Sequence, residues 1–240
     1  MKEKTLDVVV PVYNEEDDLP VNIPRLKAFL EQKMSKYDWE IVIVDNASTD
    51  QTPRIGEALS REGNIKYLQL DQKGRGNALK KAWDTSKANY LAYMDIDLSS
   101  DITYFPRLIG SLEAGSDIAI GSRLASGARV YGRPFVREMM SRGYSLLFRT
   151  LFRTSFKDAQ CGFKAVKKVV WAKLSPLVKD KDWFFDSEVL IIADKAGFKI
   201  TEIPIEWRDD PRSTVKVAKT AFGDIKGLFG LFREKPWKKL

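Results

Sequence analysis

The sequence predicts an α/β fold, a mostly parallel sheet flanked by helices, with an amphipathic helix at its C-terminal end. Its 240 residues are enough to build a substantial core. Short runs of β-branched and aromatic residues alternate with segments whose apolar residues recur at helical spacing. Such alternation is typical of β-α-β units, in which helices cover both faces of a parallel sheet.

The first half of the chain supplies most of the predicted elements. The predicted strands cover residues 6–12, 40–45, 65–70, 90–94 and 118–120. The second of them contains four consecutive apolar residues, Ile-Val-Ile-Val, which is typical of a strand buried on both faces. The predicted helices between the strands cover residues 19–34, 52–59, 78–83 and 105–112.

The second half of the chain differs in character. Residues 122–134 are polar and contain glycine, which predicts a loop that orders over a ligand. Residues 135–153 and 215–233 are predicted helices, each with an apolar face and a basic face. Such helices suit the surface of an anionic membrane; the alternative is that their apolar faces pack on the sheet.

Charge divides along the chain in a similar way. Residues 1–100 carry a net charge of −3 and residues 101–240 a net charge of +10, for a total of +7. The basic half predicts an anionic partner, whether nucleic acid, phospholipid or a phosphorylated substrate. We expect a catalytic domain over residues 1–212 and a basic amphipathic helix, suited to a membrane surface, over residues 213–240.

Several classes of protein are excluded by composition. The chain has no histidine, so Ser-His-Asp and Cys-His catalysis are excluded and the commonest zinc ligand is missing. Its single cysteine, Cys161, cannot form an internal disulfide and fits a reducing compartment. We interpret Cys161 as a small buried residue rather than a reactive thiol. There is no apolar run of membrane-spanning length and no signal-peptide core.

Two carboxylates directly follow a predicted buried strand, since Asp95 and Asp97 come after Met94. Like charges so close together repel, and a divalent cation removes that repulsion; Mg²⁺ and Mn²⁺ are held by one or two carboxylates plus substrate phosphates. Alone, the pair also fits a solvated turn. However, polar residues 13–15 and Asp45 follow two other strands, and parallel strands bind ligands at their carboxyl ends. We therefore predict one ligand site at that edge.

Taken in order, these motifs resemble the inverting glycosyltransferases of family 2, which share the GT-A (Rossmann-like) fold. Residues 9–16, VVPVYNEE, are similar to the first family motif. Residues 44–50, VDNASTD, are similar to the second, with Asn46 in place of the usual second aspartate. Residues 72–78, QKGRGNA, resemble the family segment beside the nucleotide sugar. By themselves they also suggest a dinucleotide fingerprint, although they lack its third glycine and do not follow the first strand.

The resemblance implies roles for individual residues. Asp95 and Asp97 would bind Mg²⁺ or Mn²⁺. In the family the tyrosine of the first motif lies near the uracil and the glutamate near the ribose, and the counterpart of Asp45 contacts the base. The implied nucleotide-sugar-binding residues are Pro11, Tyr13, Glu15, Asp45, Lys73, Gly74, Gly76 and Asp95.

Later residues resemble the dolichyl/polyprenyl-phosphate sugar synthases. In those enzymes two arginines and a serine hold the phosphate of the lipid acceptor, and the matching residues here are Arg123, Arg137 and Ser141. A guanidinium grips phosphate oxygens in pairs, which suits this role. The implied catalytic residues are Asp97, Arg123 and Arg137.

Two further motifs favour the dolichyl-phosphate β-glucosyltransferase branch. They are DAQCGFK at residues 158–164 and WFFDSEVL at residues 183–190. One departure is that this branch carries GSK shortly after a tryptophan, whereas residues 208–214 are RDDPRST. The lysine is missing, which leaves open whether Arg212 replaces it.

The resemblance implies an inverting, metal-dependent transferase that moves a hexose to dolichyl or polyprenyl phosphate, from UDP-glucose or, as the next choice, GDP-mannose. We expect a peripheral enzyme on the cytoplasmic face of a membrane. An ionised phosphate needs no strong base, which agrees with the absence of histidine. The alternative is a family 2 transferase that acts on a sugar hydroxyl in polysaccharide synthesis, with Asp186 or Glu188 as base. If neither acts as a base, the structural interpretation is that these two acids form the N-cap and first turn of a helix.

Two other classes remain as rivals. A catalytically silent membrane module that senses nucleotide sugar conflicts with the intact pair of aspartates. A nucleic-acid-binding protein would also carry positive charge, but the arginines and aromatic residues follow helical faces and match no recognised binding module. We expect no nucleic-acid partner.

Overall fold

The computed structural model describes residues 4–209 and 217–240. Its strands are β1 (Thr5–Val12), β2 (Asp38–Asp45), β3 (Ile65–Gln69), β4 (Tyr90–Met94), β5 (Ile118–Ser122), β6 (Arg129–Tyr131), β7 (Phe163–Lys167), β8 (Ile200–Pro204) and β9 (Glu206–Arg208). Seven of them form a central sheet in the order β3-β2-β1-β4-β7-β5-β8, while β6 and β9 pair as a small parallel sheet.

Helices connect the strands and flank the sheet. They are α1 (Leu19–Lys33), α2 (Thr52–Leu59), α3 (Arg75–Thr85), α4 (Phe105–Glu113), α5 (Phe135–Phe152), α6 (Lys168–Leu174), α7 (Phe185–Lys195) and α8 (Val217–Glu234). None of the helices in the described part of the chain is long and apolar enough to cross a bilayer.

The predicted α/β architecture is confirmed, with small shifts at element ends. All five predicted strands and the helices of the first half are present, and α5 ends one residue before its predicted end. The start predicted for the last helix, residue 215, lies outside the described residues, and α8 is described from Val217. The proposed boundary between residues 212 and 213 also lies outside them and stays a prediction.

Four strands were not predicted, namely β6, β7, β8 and β9, and β6 lies within residues 122–134, which were predicted to form a loop. Of these four, β7 shapes the site. β7 is antiparallel and lies between β4 and β5. Because it runs opposite to β4, its first residue, Phe163, lies opposite Met94, the last residue of β4. The segment just before β7 therefore reaches the edge at which the parallel strands end. There the Asp95 backbone N–H donates to the Gly162 carbonyl at 3.2 Å.

The sheet is buried on both faces, as its apolar strands predict. Alternate residues of β1 point to opposite sides, with Val8 and Val10 packed in one apolar cluster and Val9 in the other. Helices α1 and α4 supply the first cluster, and α3, α6 and α7 supply the second. This rigid sheet fixes the positions of the loops that follow its strands.

Helices α5 and α8 pack together at one side of the molecule, where the rings of Phe152 and Phe232 lie 5.9 Å apart. The prediction that their apolar faces pack on the protein is confirmed in part, and the membrane-surface prediction stays a prediction. Phe148 and Leu228 pack into the core. Other large apolar side chains on the two helices are exposed, namely Phe135, Val136, Met139, Leu146, Phe222, Ile225 and Phe229.

Candidate active site at the carboxyl edge of the sheet

The loops after β1 and β2 are locked together at this edge. The Asn14 N–H donates to Ser48 Oγ at 2.9 Å, and the Glu15 N–H donates to Thr52 Oγ1 at 2.8 Å. Asn14 has a φ of 55°, in the left-handed region that asparagine tolerates better than most residues. These contacts fix the backbone on both sides of the predicted pocket residues Tyr13 and Glu15.

The structure brings together two predicted nucleotide-pocket residues that are distant in sequence. Lys73 Nζ lies 3.2 Å from the centroid of the Tyr13 ring, a cation–π contact. The Gly74 N–H donates to Asn46 Oδ1 at 2.6 Å. Asn46, the departure from the family motif, therefore ties the second motif to the glycine-containing segment. Pro11 lies in β1, opposite Val44 of β2.

Gly74 and Gly76 allow close packing within the protein. A Cβ on Gly74 would lie 2.7 Å from the Lys181 carbonyl oxygen, and one on Gly76 would lie 2.6 Å from the Phe185 Cβ. The Asn77 N–H also donates to the Lys181 carbonyl, at 3.0 Å. The start of α3 is thus pressed against the segment that leads into α7, a packing role that the sequence analysis did not foresee. The predicted contact of both glycines with nucleotide sugar stays a prediction.

Asp45 is bonded within the protein through both of its carboxylate oxygens. Its side chain is fully buried, Oδ1 accepts from the Ser48 N–H at 2.8 Å, and Oδ2 accepts from Tyr67 Oη at 2.5 Å. Burial and the Asp45 carboxylate raise the pKa of Tyr67 above its ordinary range, so the phenol keeps its proton. Asp45 therefore holds the turn after β2, and its contact with a nucleotide base stays a prediction.

Asp95 and Asp97 lie at the end of β4 and are partly exposed. Asp97 Oδ1 accepts from the Ser99 N–H at 2.9 Å. A Cβ on residue 162 would overlap the Asp95 carboxylate, so glycine at that position makes room for it. No group of three or more acidic, histidine or cysteine side chains converges on a metal position within the described ranges. A pair of carboxylates fits Mg²⁺ or Mn²⁺, which take their other ligands from substrate phosphates and water.

Arg75 links Asp95 to the interior. Its Nη2 donates to Asp95 Oδ1 at 2.8 Å and its Nη1 to Asp186 Oδ2 at 2.7 Å. The guanidinium is only 11% exposed and lies 5.3 Å from the ring centroids of both Tyr93 and Trp183. This role of Arg75 is not evident from the sequence, because its two partners are 20 and 111 residues away.

Asp186 is held by a second cation as well. Lys164 Nζ lies 3.0 Å from Asp186 Oδ1, which also accepts a hydrogen bond from Tyr93 Oη. Burial alone would raise the pKa of Asp186, but the charges of Lys164 and Arg75 outweigh it and lower that pKa. A carboxylate held ionised by two cations is a weak base. This geometry does not suit the role of hydroxyl-activating base.

Glu188, the other candidate base, occupies the first turn of α7, as its alternative interpretation predicted. Its Oε2 accepts from the backbone N–H groups of Lys179 and Asp180, at 2.9 and 2.7 Å. The side chain is buried, and burial raises the pKa of its carboxyl. Glu188 therefore holds the loop before α7.

Arg123 lies immediately after β5 and is buried against Asp158. Its backbone N–H, Nε and Nη2 all donate to the Asp158 carboxylate, at 2.9, 2.8 and 2.9 Å. Burial would raise the pKa of Asp158, but the Arg123 charge outweighs it and lowers that pKa to about 2. Much of the charge of Arg123 is thus balanced inside the protein. Among its guanidinium nitrogens, Nη1 alone has no carboxylate partner in the part of the chain that is described.

The three predicted acceptor-phosphate residues lie around the small β6–β9 sheet and the start of α5. Arg137, in the first turns of α5, donates from Nη1 to Asp209 Oδ1 at 3.0 Å, and Ser141 follows on the next turn. The Arg123 guanidinium lies over the Trp207 ring. Trp207 in turn forms a β-bridge with Ser100. Trp207 therefore joins Arg123 to the loop that carries the aspartate pair, and Arg137 is held two residues further along, at Asp209.

Two further sequence predictions can be placed. The Cys161 side chain is buried, with Sγ 3.7 Å from Ser100 Oγ, and burial raises the pKa of its thiol to about 11. The interpretation as a small buried residue is confirmed. The segment that departs from the glucosyl branch is described only as far as Asp209, so Arg212 lies outside the described residues.

Comparison with known proteins agrees with this geometry. Residues 7–173, well over half of the chain, match the family model described as "Glycosyl transferase family 2". The chain belongs to that family. The glycosyltransferase AglD of Haloferax volcanii is 34% identical over 88% of this chain, although the chain spans only 34% of that protein's length. A dolichyl-phosphate beta-glucosyltransferase of Dictyostelium discoideum is 30% identical over 89% of this chain and 72% of its own length.

The fold of this family 2 glycosyltransferase also matches solved structures. A glucosyl-3-phosphoglycerate synthase from Mycobacterium tuberculosis, in complex with Mn²⁺, UDP and phosphoglyceric acid, superposes with a TM-score of 0.72. The match covers 96% of this chain and 79% of that one at 16% sequence identity. At this identity the likeness shows the fold alone, and it confirms the predicted GT-A-like α/β architecture.

Proposed function

We propose that this family 2 enzyme transfers glucose from UDP-glucose to dolichyl or polyprenyl phosphate at a membrane surface. The observation that carries the proposal is the position of Trp207, which forms a β-bridge with Ser100, shortly after the aspartate pair, and lies against the Arg123 guanidinium. Arg137 binds Asp209, two residues further along the chain. The name of the Dictyostelium relative supports the choice of sugar and of lipid.

The donor would bind along the edge formed by β1, β2 and β4. Asp95 and Asp97 would hold Mg²⁺ or Mn²⁺, and a metal bound there would neutralise charge on the leaving UDP. Tyr13 and Lys73, already in contact, would lie beside the nucleotide. Arg75 would keep the Asp95 carboxylate in place from the protein side. The Mn²⁺ and UDP in the mycobacterial fold neighbour support the choice of metal and nucleotide.

The acceptor would be an ionised phosphate held by Arg137 and Ser141, with Arg123 behind them. Its oxygen forms a bond to the anomeric carbon while the bond from that carbon to UDP breaks, which inverts the configuration. The arginines contribute orientation, because they hold the attacking oxygen in line with the bond that breaks. No protein group needs to remove a proton from a phosphate oxygen that is already ionised.

The state of the two buried acids favours this acceptor over a sugar hydroxyl. A hydroxyl needs a general base within hydrogen-bond reach. Asp186 is held by Arg75 and Lys164, and Glu188 is occupied by backbone N–H groups. Neither is placed to take a proton.

The outer face of α5 suits the lipid part of the acceptor. Arg137 and Ser141 point inward from this helix, whereas Phe135, Val136 and Met139 are 77, 66 and 53% exposed. A phosphate bound at the inner face would leave its hydrocarbon chain beside this apolar surface. Exposed basic residues nearby favour an anionic leaflet. We therefore place the enzyme peripherally, on the cytoplasmic face of a membrane.

A transfer assay tests the proposed function. Purified protein is mixed with Mg²⁺ or Mn²⁺, a panel of labelled nucleotide sugars and a short polyprenyl phosphate. We expect metal-dependent label in the organic phase, highest with UDP-glucose. A higher rate with GDP-mannose would contradict the choice of sugar, and binding of UDP-glucose with no lipid product would contradict the acceptor.

Membrane placement is tested separately by co-sedimentation with anionic vesicles. We expect Val136→Glu on α5 to weaken vesicle binding strongly. Val21→Glu is the matched control, because Val21 is 64% exposed on α1. Equal loss of vesicle binding in both variants, or no loss in either, would contradict the assignment of the α5 face.

A further inference from the structure

A second arginine shares the ring of Trp207 with Arg123. The guanidinium carbons of Arg123 and Arg133 each lie 5.6 Å from the centroid of that ring. The Arg133 side chain is only 10% exposed, and its Nη1 donates to Glu138 Oε2 at 3.0 Å. Its Nε is buried and has no hydrogen-bond partner among the described residues. A buried donor that has given up water without gaining a partner is unfavourable, so such atoms call for a physical explanation.

The ion pairs around Arg133 contain one more arginine than carboxylates. Four arginines share three carboxylates in this region. The pairs are Arg123–Asp158, Arg137–Asp209, Arg133–Glu138 and Arg142–Glu138. Burial, followed by the nearby Arg123 charge, lowers the pKa of Arg133. An anion bound here would offset the excess charge and give the Arg133 Nε an acceptor.

We propose that Arg133 is a third binding residue for the acceptor phosphate, alongside Arg123 and Arg137. The inference rests on the proposed function, since it adds a residue to that same site. Arg123 has Nε and Nη2 committed to Asp158, which leaves it little capacity to bind a phosphate. Arg133 supplies hydrogen-bond donors for a phosphate that Arg123 lacks.

The position of Arg133 along the chain fits the acceptor. It lies just before α5, whose first turns carry Arg137 and Ser141, and its side chain is mostly buried, as Ser141 is. The next residues outward, Phe135 and Val136, are exposed. A phosphate held by Arg133 would therefore lie between the apolar face of α5 and the aspartate loop that Trp207 contacts.

The donor side offers Arg133 no comparable contact. Tyr13 and Lys73 lie at the ends of β1 and β3, whereas Arg133 lies between β6 and α5. Its charged neighbours Arg123, Glu138 and Asp158 belong to the acceptor side. This placement favours the lipid phosphate over the donor diphosphate.

Initial rates at varied acceptor and varied UDP-glucose test the proposal in the full chain. We expect Arg133→Gln to raise the acceptor KM by about 10- to 100-fold, the usual effect of losing a charge-assisted hydrogen bond, and to leave the UDP-glucose KM unchanged. Arg133→Lys restores the charge and should recover part of the loss. Arg129→Gln is the matched control, since Arg129 lies on β6, is 69% exposed and should leave both KM values unchanged.

Three outcomes would overturn the proposal. The first is an unchanged acceptor KM in Arg133→Gln, and the second is a rise in the UDP-glucose KM instead. The third is an equal rise in the acceptor KM in Arg129→Gln. UDP binding by calorimetry checks that each variant is folded, and Arg133→Lys carries the test if Arg133→Gln does not fold. If the wild type makes no lipid product, the proposed function fails, and calorimetry with geranyl phosphate decides the inference. Weaker binding of that probe to the Arg133 variants supports an anion site, and equal binding overturns it.

Discussion

Gly162 lies directly against the carboxylate of Asp95, in a position where any Cβ would overlap that carboxylate. The antiparallel strand β7 creates the contact, because its beginning meets the end of β4. We expect Gly162→Ala to push the carboxylate aside and break its bond with Arg75. A displacement of about 1 Å at a reacting centre can cost about 100-fold in rate, so kcat/KM should fall by roughly that factor.

Steady-state kinetics at several Mn²⁺ concentrations measures this effect. Gly110→Ala is the control, because Gly110 lies within α4 and a Cβ there would meet open space. That variant should keep full activity and gain slightly in stability. Unchanged kinetics and metal dependence in Gly162→Ala would show that the Asp95 position does not matter.

Arg75 joins the partly exposed Asp95 to the buried Asp186. Arg75→Met removes one cation and leaves a buried carboxylate with a single remaining charge partner, Lys164. Breaking a buried ion pair costs about 3–5 kcal/mol, so we expect a loss of that order in the free energy of unfolding, together with loss of activity. Denaturant unfolding measures the free energy of unfolding, and the transfer assay measures the activity.

Lys66→Met is the matched comparison for Arg75→Met. Lys66 pairs with Glu40 at the surface and its side chain is 67% exposed. Exposed pairs contribute about 0–1 kcal/mol, so this variant should unfold almost as the wild type does. Similar small losses in both variants would mean that the Arg75 network does not stabilise the fold.

The periodic elements as far as β5, and helix α5, were predictable from sequence, whereas the strands β6 to β9 and helix α6 were not. Helix α2 has the predicted bounds, and α5 and β4 differ from theirs by at most one residue, because apolar periodicity is a local property. β7 was missed because its place between β4 and β5 depends on pairing with distant strands. Its sequence was quoted only as part of a motif.

In the candidate site, too, features within one motif were predictable and contacts between distant residues were not. Tyr13 and Lys73, both predicted from their motifs to lie beside the nucleotide sugar, are in contact with each other, and their binding role stays a prediction. The Arg75 bridge and the contact between Gly162 and Asp95 were missed, because both join residues far apart in the chain. The burial of Asp45 and its bonds to Ser48 and Tyr67 were not predicted either.

Asp224 gives α8 a pH-dependent attachment. Its side chain is buried and accepts from Gln160 Nε2 at 2.7 Å. Burial, and then the carboxylates of Asp180 and Asp186, raise its pKa from 3.8 to about 7. The folded protein therefore holds a proton between about pH 4 and 7 that the unfolded chain releases, so the contribution of Asp224 to stability declines as pH rises through that window.

We expect Asp224→Asn to remove this dependence, since the amide oxygen can still accept from Gln160. The Tm of the variant should match that of the wild type near pH 4. At pH 8 the Tm of the variant should exceed that of the wild type by at least about 2–4 °C, which corresponds to about 1 kcal/mol in a protein of this size. Thermal unfolding across pH measures the difference, and a difference that stays flat or reverses sign would contradict the assignment.

Cys161 should resist thiol reagents in the folded protein. Burial raises the pKa of its thiol from 9.0 to about 11, which at pH 8 leaves about 100-fold less reactive thiolate. We expect the thiol to react quickly in denaturant and at least that much more slowly in the native protein. Mass spectrometry after timed alkylation measures both rates, and equal rates would show that the segment before β7 opens readily.

We propose that the acceptor is a phosphate oxygen positioned by arginines, with no base. A competition assay offers the enzyme two acceptors with the same hydrocarbon chain, a polyprenyl phosphate and the corresponding polyprenol, with UDP-glucose and Mn²⁺. We expect transfer to the phosphate alone, with a β-linked product visible by NMR. Transfer to the polyprenol or to an added sugar hydroxyl, with the phosphate ignored, would contradict it.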